Sequence, residues 1–139
     1  MIIVDTNVLS ELMRHEPDPS VVGWVKAQAT TSLFATTITQ AEILYGIRLL
    51  PHSKRRAEIE EAAREMFQAD FTGRVLPFDG DAAQAYAEIV VARREEGRPI
   101  SQFDAQIAAI SFSRNSIVAT RNISDFEGCG IQLIDPWDA

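Results

Sequence analysis

The sequence predicts an α/β fold: a three-layer sandwich in which a central, mainly parallel sheet lies between two layers of helices. Short apolar runs suited to buried strands alternate along the chain with longer stretches of helical periodicity. Parallel strands require crossover connections, and helices are the usual ones. No repeat, low-complexity tract or interdomain linker interrupts the 139 residues, so we expect residues 1–139 to form a single domain.

Five short apolar runs are the predicted strands, at residues 2–4, 33–36, 75–78, 117–119 and 131–134. Helical stretches separate them and end at proline or glycine. The first carries Val8, Leu9 and Leu12 and ends before two prolines; a second follows Pro19; a third covers about residues 39–50 and ends at Pro51. An amphipathic helix covers about residues 53–69, another follows a cap at Asp79 or Asp81, a sixth starts at Ser101, and a helical turn covers residues 124–126.

Four acidic residues stand where these helices are predicted to begin: Asp5, Glu42, Asp104 and Asp125. Three of them, Asp5, Glu42 and Asp125, come after a predicted strand, and ligands of parallel sheets collect outside the carboxyl ends of the strands. That argument does not place Asp104, which a helix precedes. Carboxylates gathered at one place repel each other, so a fold that gathers them normally holds a cation or a proton there. The sequence therefore predicts a divalent-metal site.

Capping of helices is the alternative reading of the same acids. Residues 39–42 and 101–104 both match the capping-box spacing, and residues 122–125 nearly match it. The two readings are compatible, because converging helix N-termini carry partial positive charge that favours ionised acids. Asp5 fits capping least well, since it ends a strand expected to be central, where an unpartnered carboxylate is costly to bury. Its neighbours Thr6 and Asn7 either orient the site or simply start the helix.

The chemistry that this residue inventory allows is metal-assisted hydrolysis. Oxygen ligands favour Mg²⁺ or Mn²⁺ over Zn²⁺, and a carboxylate-held ion can activate water without a His, Lys or Cys nucleophile. The single cysteine, Cys129, belongs to no metal pattern, and we expect His15 and His52 at the surface.

A net charge of −7 is unusual for a protein that binds nucleic acid. Two divalent ions would add four charges and leave −3, with the positive charge placed where a phosphate would bind. Basic clusters at residues 54–56 and 93–98 have solvated helix faces as their ordinary explanation. Among the arginines, Arg121, Arg14 and Arg98 are candidates for contacts to phosphates. Nothing resembles a membrane span or a signal segment, so we expect a cytoplasmic protein.

Four segments in order carry a resemblance to a known family: Val-Asp-Thr-Asn-Val-Leu-Ser-Glu-Leu, Ile-Thr-Gln-Ala-Glu-Ile-Leu-Tyr-Gly, Phe-Asp-Ala-Gln-Ile-Ala-Ala and Ala-Thr-Arg-Asn-Ile-Ser-Asp-Phe. The chain resembles PIN-domain proteins over essentially its whole length. Within that superfamily it is most similar to the VapC-type toxins of bacterial toxin–antitoxin pairs, in their FitB-like branch.

The resemblance implies that Asp5, Glu42, Asp104 and Asp125 are the family's catalytic quartet, which binds Mg²⁺ or Mn²⁺ and cuts RNA. It implies supporting roles for three polar residues, Thr6, Thr120 and Asn122. It also implies a small DNA-binding antitoxin as partner, and a homodimer or a larger complex with that antitoxin.

Two other functions are compatible with parts of the sequence. A phosphatase of the haloacid dehalogenase type also starts from an aspartate at a strand end, but it is expected to carry a second aspartate two positions on, where this chain has Asn7. A dimeric partner-binding module without catalysis would use the four acids as helix caps alone. Stabilisation by metal separates this module from the nuclease.

Overall fold

The computed structural model describes residues 1–139 and contains a five-stranded sheet. Its strands are β1 (Ile2–Val4), β2 (Leu33–Thr36), β3 (Val75–Leu76), β4 (Ile117–Ala119) and β5 (Gln132–Ile134). Every pair of neighbouring strands is parallel, and the spatial order is β3-β2-β1-β4-β5. The predicted parallel sheet is therefore confirmed, with the first strand at its centre.

Seven α-helices connect the strands. They are α1 (Thr6–Leu12), α2 (Pro19–Ala27), α3 (Thr37–Arg48), α4 (Lys54–Glu65), α5 (Gly80–Glu95), α6 (Gln102–Ser113) and α7 (Ile123–Phe126). A 3-10 turn (Thr30–Ser32) precedes β2, and a π-helical segment (Met66–Asp70) extends α4. None of the helices combines the length and apolar character that crossing a bilayer requires.

Two hydrophobic clusters cover opposite faces of the sheet, because successive strand side chains point to opposite sides. Ile3 and Val118 belong to the cluster that packs against α5, α6 and α7, whereas Val4 and Ala119 belong to the cluster that packs against α1 to α4. The predicted three-layer sandwich is confirmed, and both central strands are buried on both faces.

Differences from the predicted boundaries have local causes. The third strand ends at Leu76 rather than residue 78, because Pro77 has no N–H to pair and Asp79 already caps α5 through its bond to the Ala82 N–H. Helix α3 begins at Thr37 rather than residue 39, since the hydroxyl of Thr36 accepts from the Thr39 N–H at 3.1 Å.

The position of the site follows from the order of the strands. From β1 the chain crosses to β2 and β3 on one side, whereas β4 and β5 lie on the other side of β1. The carboxyl ends of β1 and β4 therefore flank the point where the winding of the sheet reverses, which is the preferred ligand site in such folds. Val4 pairs with Ala119, so Asp5 and Thr120 leave the sheet next to each other.

Candidate metal centre

A polar cavity of about 540 Å³ opens at the carboxyl ends of β1 and β4. Four acids line it: Asp5 and Glu11 from the start of the chain, Glu42 from α3 and Asp104 from α6. The full lining is Asp5, Thr6, Asn7, Ser10, Glu11, Arg14, Glu42, Asp104, Arg121, Asn122 and Trp137. The structure thus places three of the four acids predicted from the sequence in one cavity, together with two of the predicted supporting residues, Thr6 and Asn122.

Asp5 is the buried member of this set, with 5% of its surface exposed. It directly follows β1, caps α1 by accepting from the Thr6 N–H at 2.8 Å, and accepts from the Thr120 hydroxyl at 2.8 Å through its other oxygen. Burial raises the pKa of Asp5 to about 6; these two hydrogen bonds lower it, and the charges of Asp104 and Glu42 raise it further. A positive charge at this place would be stabilising.

Glu42 points into the cavity from the second turn of α3. Its Oε1 accepts from the Thr6 hydroxyl at 2.9 Å, which leaves Thr39 as the donor in the 3.0 Å contact between the Thr39 and Thr6 hydroxyls. Partial burial, and then the charge of Asp104, raise the pKa of Glu42. The capping-box reading of residues 39–42 is wrong, because Thr36 caps the helix and leaves Glu42 free for the cavity.

Asp104 reaches the cavity from the first turn of α6. The Ser101 hydroxyl caps this helix by accepting from the Asp104 N–H at 3.2 Å, but the Asp104 carboxylate accepts no bond from the Ser101 N–H, so only the serine half of the predicted capping box is present. Burial raises the pKa of Asp104, the nearby charge of Asp125 raises it too, and the Arg93 guanidinium lowers it. Because Asp104 also raises the pKa of Asp5 and of Glu42, it is the electrostatic centre of the acidic set.

Asp125 lies at the edge of this group and not in the cavity lining. It is exposed on the single turn of α7, and its backbone N–H donates to the Asn122 carbonyl at 3.0 Å. Asn122 makes no side-chain cap bond, so the near-match of residues 122–125 to a capping box has no structural counterpart. The charge of Asp125 nevertheless raises the pKa of Asp104.

The donor chemistry of the cavity fits a hard divalent cation. Burial raises the pKa of all three carboxylates, and the charge of Asp104 raises the pKa of Asp5 and of Glu42, so a shared cation would offset both the cost of burial and the repulsion. In the conformation described here, no three His, Cys, Asp or Glu side chains are gathered closely enough to ligate one ion together. An ion held by all three therefore requires the half-exposed side chains of Glu42 and Asp104 to turn toward Asp5.

Thr120 and Asn7 hold Asp5 from the side of β4. The Thr120 hydroxyl donates to Asp5 and accepts from the Asn122 N–H at 3.1 Å and from the Asn7 amide at 3.2 Å. Asn7 also donates to Asp5 Oδ2 at 3.3 Å and accepts from the Arg121 N–H at 3.2 Å. Asn7 is therefore a positioning residue as well as part of the start of α1.

The arginines beside the site differ in their partners. Arg14 forms an ion pair with Glu11 at 3.1 Å, and Arg98 pairs with Glu127 at 3.4 Å. Arg121 forms no ion pair, and its guanidinium carbon lies 5.1 Å from the centre of the Trp137 ring.

Three residues at or behind the site were not predicted from the sequence, although one of them, Glu11, lies within the first motif segment, residues 4–12. Glu11 is 6% exposed and lines the cavity, where it accepts from Arg14 and from the Asp18 N–H. Trp137 lines the cavity from the C-terminal segment. Arg93 is buried, and it donates to the carbonyl of Asp125 at 2.8 Å. Only the helix pattern of α5, which turns Arg93 to the same side as Ile89, hints that this arginine is not solvated.

Comparison with known proteins agrees with this arrangement. The family model described as the PIN domain matches residues 2–127. The chain is 39% identical to the VapC ribonuclease Y4jK of Sinorhizobium fredii and 34% identical to the toxin FitB of Neisseria gonorrhoeae, in each case over 99% of both chains. A solved structure of FitAB bound to the IR36 DNA fragment superposes with a TM-score of 0.93 at 34% identity, over 99% of this chain and 96% of the other. The chain belongs to the PIN-domain family, in the group that contains these VapC- and FitB-type relatives.

Proposed function

We propose that this protein is a metal-dependent endoribonuclease in which Asp5, Glu42 and Asp104 hold Mg²⁺ or Mn²⁺. The observation that carries the proposal is the convergence of these three carboxylates, each with a pKa raised by burial and by a neighbouring acid, in one polar cavity of a PIN-domain chain. Asp125 completes the set as a ligand of a second ion or as a residue that positions water, because its charge acts on Asp104 from the rim.

The residues of the cavity have different roles in phosphodiester hydrolysis. When bound, the divalent ion supplies an attacking hydroxide at neutral pH and neutralises charge on the leaving oxygen. The buried Asp5, fixed by Thr6 and Thr120, gives the cavity a rigid carboxylate, whereas Glu42 and Asp104 are freer to adjust. The Thr6 hydroxyl directs one oxygen of Glu42, and the Asn122 backbone is tied to the same network through Thr120.

We further propose that the nuclease is the toxin of a toxin–antitoxin pair and works in the cytoplasm. Relatives spanning 99% of the chain are named VapC ribonuclease and toxin FitB, and the FitAB structure is a complex bound to DNA. The expected partner is a small DNA-binding antitoxin, with which the chain forms dimers or larger assemblies. Residues 1–139 serve as one nuclease domain in this proposal.

A groove suited to such a partner lies away from the carboxylates, between α1, α2 and α4. It has a volume of about 820 Å³, and nine of its fifteen lining residues are hydrophobic, among them Leu12, Val25, Ile59 and Met66. Charged residues such as Glu58 and Lys26 also line it. An antitoxin segment with one apolar face and charged edges matches this lining. Ile59→Asp should weaken co-purification with the antitoxin and leave metal binding unchanged.

Cleavage of single-stranded and structured RNA by purified protein tests the nuclease proposal. We expect activity with Mg²⁺ or Mn²⁺, none with EDTA, and at least a hundredfold loss in Asp104→Asn, because removal of a transition-state charge contact commonly costs that much. Asp81→Asn is the matched control, since Asp81 is exposed on α5 and makes no side-chain hydrogen bond or ion pair. Equal activity in Asp104→Asn would show that another site, or a contaminant, cuts the RNA.

The partner-binding module without catalysis is the remaining alternative, since membership of the PIN-domain family excludes a phosphatase of the haloacid dehalogenase type. It differs from the nuclease in one measurable respect. A module whose acids serve only as caps is not stabilised by Mg²⁺, whereas the nuclease is, because a ligand that binds only the folded chain raises its melting temperature.

A further inference from the structure

We infer that Trp137 positions Arg121 as a contact for an RNA phosphate at the rim of the carboxylate cavity. The inference rests on the proposed nuclease function, and it assigns the part of the RNA-binding surface that adjoins the metal centre. Trp137 lies in the C-terminal segment beyond residue 127, where the match to the family model ends.

Arg121 is the arginine of the cavity that is free to bind an anion. Both Arg14 and Arg121 line the cavity, but Arg14 is held by Glu11 at 3.1 Å whereas Arg121 forms no ion pair. Four carboxylates line that cavity, and an arginine on a flexible stem would ordinarily fold onto one of them. Something in the structure must therefore hold its guanidinium aside.

The indole ring of Trp137 is that support. The guanidinium carbon of Arg121 lies 5.1 Å from the centre of the ring, within the range of a cation–π contact. The ring is itself fixed, because it packs against the core cluster that contains Val4, and the backbone that carries it is held because the Trp137 backbone N–H donates to Asp135 Oδ1 at 2.9 Å. The backbone of Arg121 is fixed too, since its N–H donates to the Asn7 side chain at 3.2 Å.

A cation–π contact holds a guanidinium over an aromatic face without using the hydrogen-bond donors of its N–H edge. That edge matches two oxygens of a phosphate, whereas an ammonium would act only as a point charge. The charge of the protein also favours a phosphate contact at this position. The chain carries a net charge of −7, and RNA approaching three carboxylates gains from a cation that is not already neutralised. The contact is sequence-independent and suits the backbone of single-stranded RNA.

Binding of a labelled single-stranded RNA in Ca²⁺, with fluorescence anisotropy as readout, tests the assignment. We expect Arg121→Ala to weaken binding about tenfold, as for loss of a charge-assisted hydrogen bond. Trp137→Leu should weaken it about two- to fivefold, the scale of an exposed cation–π contact. Because both changes act through one guanidinium, the double variant should bind no worse than Arg121→Ala alone. Trp137→Phe should restore most of the affinity.

Two further readouts separate positioning from a loss of structure. Arg121→Ala should reduce the slope of log affinity against log salt by about 0.7, the value for one phosphate contact to a single strand. Arg94→Ala removes the same charge from an exposed position on α5 outside the cavity, and it should leave the affinity and the slope unchanged. In cleavage assays, Arg121→Ala and Trp137→Leu should raise KM and spare kcat.

The proposal is overturned if the two single losses add in the double variant, if Trp137→Phe is no better than Trp137→Leu, or if the protein binds no RNA in Ca²⁺. Failure of the nuclease proposal has a different signature, namely no binding of Mn²⁺ and no metal-dependent cleavage by the unaltered protein. Metal-dependent cleavage with an unchanged KM in Arg121→Ala would refute the role of Arg121 and Trp137 and leave the nuclease proposal standing.

Discussion

Replacing Asp5 by asparagine should make the free energy of unfolding of the metal-free protein less sensitive to rising pH. Burial raises the pKa of Asp5 from 3.8 to about 6, so the folded chain binds a proton more tightly than the unfolded chain does. A raised folded pKa contributes stability that is full below pH 4 and is lost as the pH rises toward and through 6. A difference of about two pKa units corresponds to about 3 kcal/mol at 1.4 kcal/mol per unit.

The measurable quantity is the change of stability with pH and not its value at one pH. The asparagine side chain in Asp5→Asn cannot reproduce every hydrogen bond of the carboxylate, because its amide would face the donor groups of Thr120 and Asn7. That loss is nearly independent of pH. Between pH 4 and pH 8 the variant should therefore gain about 2 to 3 kcal/mol relative to the unaltered protein.

Urea denaturation at a series of pH values, with EDTA present, gives this difference directly. Asp81→Asn should follow the unaltered protein at every pH. In 10 mM Mg²⁺ at pH 8 the unaltered protein should gain stability over its value in EDTA and Asp5→Asn should gain much less, because the ion stabilises only the chain that keeps its carboxylate. A constant difference between Asp5→Asn and the unaltered protein from pH 4 to pH 8 would refute the burial argument.

Two other substitutions test how the site and its surroundings are held. Thr120→Val removes a donor to Asp5, so it should lower the free energy of unfolding in urea by about 1 to 3 kcal/mol and raise the pKa of Asp5 further. Thr120→Ser keeps the hydroxyl and should be about as stable as the unaltered protein. Equal losses in both variants would show that the hydroxyl does not stabilise the site. Gly130→Ala should lower the melting temperature more than Gly73→Ala does. Both glycines have a positive φ, at 73° and 72°, but only at Gly130 would the new Cβ meet a side chain, the Phe112 ring, at 3.2 Å. Equal losses in thermal melts would contradict this.

The strands were predictable because each is a short apolar run buried on both faces. The first, second and fourth strands have the predicted boundaries, and the third was too long because the apolar pattern continues through Pro77 to Phe78. Helix boundaries were less accurate where a cap lies inside a strand, as at Thr36.

Within the site, the expectation that functional residues lie just past the carboxyl ends of the strands was correct where a residue directly follows a strand. It identified Asp5, but it could not place Asp104, which arrives because α6 packs against α5 and α3. The same expectation put Asp125 beside the other acids, whereas the short α7, held at its carbonyl by Arg93, leaves that side chain exposed at the rim. Trp137 was missed because a tryptophan after the last strand gives no local sign of which cavity it will line.

The central claim is that the carboxylate cavity binds a divalent ion, and calorimetric titration of the metal-free protein with Mn²⁺ at pH 7.5 tests it most directly. We predict saturable binding, at least a tenfold loss of affinity in both Asp5→Asn and Asp104→Asn, and none in Asp81→Asn. Absence of binding, or affinity that survives both substitutions, would contradict the assignment of these acids as a metal centre.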